Sequence, residues 1–447
     1  MAHPFKAYDV RGIYGTEVTE ELAYKIGRAF VDYIKPKTVV VGMDMRQSSK
    51  PLLENLIKGL REAGADVINV GLISTDMLYF ASVYLGTDGA IQITASHNPK
   101  EYNGLKFTRA NAVPIGLESG LSDIEKIVRA CSFSEPKKNL GGYKELNILD
   151  EFIKFMHSFV KPNELKPLSV VIDAGNGMGG MILPGLFKGS PLKITPMYYE
   201  LDGSFPNHEA NPLEEKNRRD LVAKVKEIGA DVGIGLDGDT DRAFFVDGKG
   251  NFCSGDFILG LLAKEVLKKH PGSTIVYDVR CSRYVKDTVE KLGGKTRMWK
   301  VGHAYAKLFM KEIGAEFGGE VSGHYYYKYK NAYFDSGNLT ALVLLKVLSD
   351  YNISLEQALE ETKGYYISGE INSTVKDPDS KIKEIVTLYK DKVDSVMDID
   401  GISLICKDWW ANIRKSNTEP LLRLNCEAYS KQKMEEIRDQ FLKIIRA

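Results

Sequence analysis

Three stretches of the chain share one hydrophobic pattern: residues 38–44, 169–173 and 274–278 are each a mostly β-branched apolar run that stops at an aspartate and passes into a polar or glycine-rich loop. The terminal aspartates, Asp44, Asp173 and Asp278, are 129 and 105 residues apart, about one domain each. After each run come a helical stretch, a second short strand (66–70, 193–197, 295–299), another helical stretch and a third strand (90–94, 231–236, 315–317). Strands alternating with helices predict parallel sheets of α/β type. Ligands of such sheets gather just past the carboxyl ends of the strands. Those ends carry Ser96, Asp237 and Glu320. The C-terminal region breaks the pattern. Asp400-Gly401 is a hairpin signal between Val396 and Ile405, residues 421–426 alternate as a half-buried strand, and Ser430 is placed to cap a closing helix to Ile445. A small α+β domain is predicted there.

Length changes this picture little, because 447 residues exceed one ordinary core and fit three or four domains. Charge changes it more. Sixty basic side chains balance sixty acidic ones, so no overall field attracts nucleic acid or an anionic membrane, and an anionic ligand must be held by local clusters. Five scattered cysteines, Cys131, Cys253, Cys281, Cys406 and Cys426, form neither a disulfide framework nor a zinc motif and fit a reducing compartment. The N-terminal stretch has no apolar core of signal-peptide type, and the apolar run 341–348 is cut by Lys346. A soluble cytoplasmic protein is expected.

The candidate chemistry sits in four loops. Thr94-Ala95-Ser96-His97-Asn98-Pro99 displays a serine on a turn that Asn98-Pro99 enforces, since the residue before proline is driven out of helical geometry. A nucleophile at a strand end suits covalent catalysis; a plain turn closed by Asn98 is the alternative. Asp237-Gly238-Asp239-Thr240-Asp241-Arg242 spaces three carboxylates by two, which on extended backbone points all three to one side. Such a cluster calls for a hard cation, Mg²⁺ or Ca²⁺. An EF-hand is excluded, because the sixth loop position is Arg242 and the twelfth Gly248. Glu320, Ser322 and His324 alternate in the glycine-rich third loop and offer an acceptor, a hydroxyl and an imidazole to sugar hydroxyls. Arg414, Lys415, Ser416, Asn417 and Thr418, with Arg423 across the hairpin, form a donor set for a phosphate dianion, or an ordinary hairpin tip. Further candidates are Tyr8 and Arg11 near the N-terminus, Lys106 ten residues past Ser96, and His303, which can titrate near neutrality.

These four loops, TASHNP, DGDTDR, GEVSGH and RKSNTEP, occur in an order that resembles the α-D-phosphohexomutases, in particular the phosphomannomutase/phosphoglucomutase group, over essentially the whole chain. The resemblance implies three tandem α/β domains of related topology with mixed sheets, followed by a C-terminal α+β domain of TATA-binding-protein-like fold, around a central cleft. The corresponding segments are 1–148, 149–251, 252–364 and 365–447. It implies that Ser96 carries a phosphoryl group and that Ser96, Asp237, Asp239 and Asp241 hold Mg²⁺. Glu320, Ser322 and His324 match the sugar-contacting loop, and Arg414, Ser416, Asn417, Thr418 and Arg423 match the site for the non-reacting phosphate. Tyr8, Arg11, Lys106, Arg242 and His303 match further active-site positions, with Arg11, Lys106 and His303 as candidate acids or bases. His97 is expected to help shape the serine loop beside the substrate. Arg280 stands where many members have lysine, which keeps the charge but replaces a point charge with a fork.

The implied reaction interconverts hexose 1- and 6-phosphates of mannose or glucose through phospho-Ser96 and a hexose 1,6-bisphosphate that turns end over end between transfers. Residues 364–369, between Gly364 and Gly369, are expected to act as a hinge for the last domain. Val321 in the third loop is closer to the mannose/glucose mutases than to phosphoglucosamine mutases, the nearest alternative. A Mg²⁺-dependent sugar phosphatase, a serine hydrolase using Ser96 with His97 or His303, and a non-catalytic sugar-phosphate binder are the rivals. The hydrolase lacks a Gly-x-Ser-x-Gly elbow. Either a monomer or a homo-oligomer is compatible with the sequence.

Overall fold

Each repeated run becomes the central strand of a parallel set with one order. In the first set Asp66–Leu72, Thr38–Met43 and Gly89–Ile93 lie side by side and parallel, followed by antiparallel Tyr102–Arg109 and then Val10–Ile13. The second set repeats this with Lys193–Met197, Ser169–Asp173 and Val232–Leu236, then antiparallel Ala243–Asp247. The third has Lys295–Trp299, Thr274–Asp278 and Phe317–Gly319 in the same parallel order. Valines and isoleucines fill the central strands because helices cover both faces of such sheets. Val39, Val41, Val170, Ile172 and Ile275 are fully buried.

This computed structural model describes residues 3–415 and 421–447. It divides into two compact units. The first comprises the chain up to Cys253 together with Met310–Ile313 and Ser322–Glu356; the second comprises Ser254–Phe309, Gly314–Val321 and Gln357–Ala447. The first unit thus also holds the antiparallel pair Tyr325–Tyr329 and Ala332–Asp335 and the helix Gly337–Tyr351, whose N-cap Ser336 accepts from Leu339 N at 3.0 Å. Among the described residues no helix is long and apolar enough to cross a membrane.

The C-terminal sheet is antiparallel throughout, with Leu421–Ala428 and Trp409–Lys415 at its centre and Arg414 directly opposite Arg423. Ser395–Met397 and Ile402–Ile405 pair across the Asp400-Gly401 turn, where Gly401 has φ +66°. Ser430 caps the helix Lys431–Arg446, accepting from Lys433 N at 3.2 Å. Met434, Ile437, Phe441 and Ile445 form the stripe by which this helix joins the core, each contributing about 1.5–3 kcal/mol of burial.

One strand shifts. The strand expected at 315–317 lies at Phe317–Gly319, because Gly318 and Gly319 are carried by pairing with Val276 and Tyr277 despite their low strand propensity. The segment between Gly364 and Gly369 lies inside the second unit, where Ser368 N donates to Cys426 O at 2.8 Å and Cys426 N donates to Ser368 Oγ at 2.9 Å.

Candidate active site

The strand Gly89–Ile93 delivers Ser96 to a turn in which it adopts a left-handed φ of +50° and is 1 % exposed. A non-glycine residue holds that conformation only where its surroundings impose it. Thr94 Oγ1 accepts from Ser96 N at 2.9 Å. Arg46, with a fully buried side chain, donates to the carbonyls of Ser96 (2.8 Å), Asn98 (2.6 Å), Pro99 (2.8 Å) and Tyr102 (3.1 Å), while Asp44 balances its charge at 3.3 Å. Arg11 donates to Ala95 O at 3.1 Å and Asn98 Oδ1 at 2.6 Å and pairs with Asp9. The serine loop is therefore held by two guanidiniums gripping its backbone. Ser96 Oγ donates to Asp237 Oδ2 at 3.0 Å.

Asp237, Asp239 and Asp241 each present one oxygen within 4.8 Å of the others, and all three are buried. Lys106 Nζ, from the antiparallel strand beside the serine strand, donates to Asp239 at 2.7 Å and Asp241 at 2.6 Å. Burial alone would lower the Lys106 ammonium, but the two carboxylates outweigh it and hold it above its ordinary value. Burial, then the charges of Asp241 and Asp239, pushes Asp237 well above the carboxylate range. Asp241 goes the other way: burial opposes ionisation, yet Lys106, His324 and Arg242 together hold it well below. Asp239 Oδ1 and Asp241 Oδ1 are buried without a hydrogen-bond partner. Asp241 Oδ1 lies 3.6 Å from His324 Nε2 and 3.8 Å from Arg242 Nε; two buried carboxylate oxygens without hydrogen bonds beside a third acid are a donor set that fits a hard divalent cation.

Arg242 closes this group. Its NH2 donates to His97 Nδ1 at 2.9 Å, and its Nε donates to His324 Nε2 at 3.2 Å, leaving His324 Nδ1 3.4 Å from Ser322 Oγ. Burial, then the charges of Arg242 and Arg11, lowers the His97 imidazole well below its usual value. His97 Nδ1 lies 3.3 Å from Ser96 Oγ and accepts from Arg242 NH2. Tyr8 sits half-buried just before the strand Val10–Ile13 that carries Arg11.

In the second unit Arg280 forks onto Asp278, with Nε to Oδ1 at 3.0 Å and NH2 to Oδ2 at 2.7 Å. Its NH2 also lies 4.0 Å from Glu320 Oε2. Glu320 Oε1 accepts from Gly302 N at 2.7 Å, next to His303, the first residue of the helix His303–Ile313. Arg414 NH2 donates to Glu370 Oε2 at 2.5 Å, and Arg423 NH1 lies 3.7 Å from Glu370 Oε1. Ser416, Asn417 and Thr418 lie outside the described residues.

Models of the phosphoglucomutase/phosphomannomutase α/β/α domains I, II and III match residues 2–135, 150–250 and 254–365, and that of the family's C-terminal domain matches 370–444. A phosphomannomutase of Salmonella typhimurium strain LT2 is 40 % identical over 431 residues, covering 95 % of this chain and 94 % of its own. That of Escherichia coli K12 is 39 % identical over 447 residues, 98 % of this chain and 97 % of its own. The chain belongs to the phosphoglucomutase/phosphomannomutase family. Among solved structures, a family protein from Burkholderia thailandensis superposes with a TM-score of 0.90 at 33 % identity, over 99 % of this chain and 96 % of that one. The chain is accordingly a phosphohexomutase, an isomerase of three α/β domains and one α+β domain.

Within this phosphohexomutase the acidic loop corrects one expectation. Asp237, Asp239 and Asp241 converge through a turn and not through strand alternation: Thr240 has φ +57° and its N–H donates to Asp237 O at 3.1 Å. Glycine at 238 permits the loop's close approach to the serine turn, since a Cβ there would stand 2.7 Å from Ser96 O. The segment 320–324 is likewise a turn, with Gly323 at φ +86°. Two supports went unread in the sequence. Arg46 follows Asp44 by two, as Arg280 follows Asp278, and this Asp-x-Arg recurrence was the available signal. Thr75 Oγ1 lies 2.6 Å from Asp239 Oδ2 and 2.8 Å from Gln92 Oε1; nothing in the pattern marks it.

Below the acidic loop lies a buried polar knot. Asp76 accepts from Ser336 Oγ at 2.5 Å, Asn338 Nδ2 at 2.9 Å and Ser74, and Asn338 Nδ2 reaches Thr240 Oγ1 at 2.8 Å. Gly337 N donates to Thr240 O at 2.8 Å. Burial pushes the Asp76 carboxyl up to about 7 against these donors.

Proposed function

We propose that this phosphohexomutase interconverts the 1- and 6-phosphates of mannose, glucose or both through a phosphoserine at Ser96 and a hexose 1,6-bisphosphate. One observation carries the reading: Ser96 Oγ donates to Asp237 at 3.0 Å, beside two acids whose Oδ1 atoms are buried without a hydrogen bond. A serine in that setting is placed to hold a phosphoryl group next to a cation. Ser96, Asp237, Asp239 and Asp241 would hold Mg²⁺, which when bound supplies positive charge to the phosphoryl oxygens.

In the first transfer the free hydroxyl of the hexose phosphate forms a bond to phosphorus, the bond from phosphorus to Ser96 Oγ breaks, and the hydroxyl proton passes to a protein group. Arg11, Lys106 and His303 are the candidates for that group. Lys106, an ammonium held by two carboxylates, is better suited to balance charge than to accept a proton. The bisphosphate then reverses, and its other phosphoryl group returns to Ser96 Oγ with the opposite proton movement. Phosphoryl transfer has a loose transition state, so positioning and charge stabilisation by Lys106 and Arg242 carry most of the rate. Glu320, Ser322 and His324 take the sugar hydroxyls. Arg280, Arg414 and Arg423, with Ser416, Asn417 and Thr418, take the non-reacting phosphate, and Tyr8 and His97 line the substrate. The relatives named phosphomannomutase support mannose as a substrate.

Ser96→Ala is the test. Turnover should fall at least about a thousandfold while calorimetric binding of hexose phosphate is retained. A near-normal mutase rate refutes the scheme, release of inorganic phosphate as the main product of the wild type favours a phosphatase, and kcat/KM on mannose, glucose and glucosamine 1-phosphates ranks the sugars.

A further inference from the structure

Glu370 is the one carboxylate paired with Arg414 among the described residues, and it sits where three guanidiniums converge. Its Oε2 accepts from Arg414 NH2 at 2.5 Å and lies 3.9 Å from Arg280 NH1; its Oε1 lies 3.7 Å from Arg423 NH1. Arg414 is 6 % exposed and its Nε is buried without a hydrogen-bond partner, so the cradle has donor capacity that Glu370 does not fill. The backbone on either side of Glu370 is anchored. Ser368 is tied to Cys426 on one side, and Ile371 pairs with Leu424 on the other. The side chain itself is 28 % exposed.

A planar carboxylate bridging guanidiniums imitates two of the oxygens of a phosphate. It carries one negative charge, whereas a sugar phosphate carries nearly two near neutrality and offers three acceptor oxygens. We propose that Glu370 is an internal counter-anion that occupies the arginine cradle until the substrate's phosphate displaces it. The proposal rests on the reading of Arg414 and Arg423 as phosphate ligands.

Asp278 already pairs Arg280, and Glu370 adds the carboxylate that Arg414, Arg423 and Arg280 share, holding them in a converging geometry that weakly bound monoanions do not disturb. Burial acts against the Glu370 charge, but Arg414, Arg280 and Arg423 hold its carboxyl below the usual range, so it remains ionised at neutral pH. The displacement lowers affinity for every phosphate ligand by a common factor and leaves the chemical step alone.

The test is calorimetric titration of inorganic phosphate into full-length protein in metal-free buffer, with steady-state kinetics beside it. Glu370→Gln keeps the shape and removes the charge; phosphate should bind about fivefold to tenfold tighter, and KM for hexose 1-phosphate should fall by a similar factor with kcat nearly constant. Glu370→Ala should act in the same direction. Arg414→Ala should weaken phosphate binding at least about tenfold. If Arg414→Ala weakens binding while both Glu370 variants bind phosphate no tighter than wild type, Glu370 is a structural anchor and the proposal is wrong. If Arg414→Ala changes nothing, the phosphate reading of the arginines fails, and the proposal with it.

Discussion

Replacing Lys106 by methionine removes the ammonium and keeps most of the stem's volume. The lysine is the only ammonium that hydrogen-bonds Asp239 and Asp241 among the described residues, and its side chain is 6 % exposed. Removing one partner of a buried ion pair typically costs about 3–5 kcal/mol, because the charge left behind is neither solvated nor matched. In chelator the variant should lose stability of that order around the acidic loop. A divalent cation held by the same carboxylates should restore much of it, since binding to the folded state alone adds about 2.7 kcal/mol at a hundredfold excess over the dissociation constant. Wild type should gain less, its carboxylates being partly neutralised already. The chain's tryptophans, Trp299, Trp409 and Trp410, all lie in the second unit, so fluorescence would report on the wrong half. Hydrogen exchange of peptides covering 89–109 and 232–247, in chelator and in magnesium, reads the local opening energy directly. An exchange rate in Lys106→Met that is equally raised in both buffers would refute the assignment of the cation to these acids.

Gly238→Ala places a methyl group 2.7 Å from Ser96 O. Pushing the two loops apart should cost about 1–3 kcal/mol and reduce turnover, and unchanged kcat with unchanged exchange at 94–99 would contradict the close approach. Asp76, whose folded-state carboxyl is pushed up to about 7, has a pH signature of definite sign. Between the ordinary carboxylate value and about 7 the unfolded chain has released this proton and the folded chain keeps it, so this group's share of stability falls as pH rises, by up to about 4 kcal/mol. Urea midpoints from pH 4 to 8 should show that slope reduced in Asp76→Asn; an unaltered slope would show that Asp76 ionises normally in the fold.

Much of the frame was legible because the signals were local. The runs ending in Asp173 and Asp278 form strands with the predicted bounds, since β-branched segments closed by a turn have little alternative. The Asp400-Gly401 turn and the Ser430 cap were readable for the same reason. The candidate groups were legible as residue types and misjudged as geometry. Asp237, Asp239 and Asp241 converge through a left-handed Thr240, which is imposed by Gly337 and Asn338 from far along the chain and invisible in a six-residue window. Glu370 was unreadable for a related reason: a glutamate after a glycine has no pattern of its own, and its meaning comes from Arg280, Arg414 and Arg423 folded around it.

The discontinuity of the first unit sets an order of assembly during synthesis. Its acidic loop is translated by Arg242, but the groups that clamp Thr240, Gly337 and Asn338, are made about a hundred residues later. At ribosomal speeds of about 5–20 residues per second, that is a delay of about 5–20 s. Throughout that interval Asp237, Asp239 and Asp241 belong to a nascent loop lacking its clamp. The second unit's Ser254–Phe309 emerges in the same window. The acidic cluster is thereby clamped only after Gly337 and Asn338 are made, although its carboxylates lie near the middle of the chain.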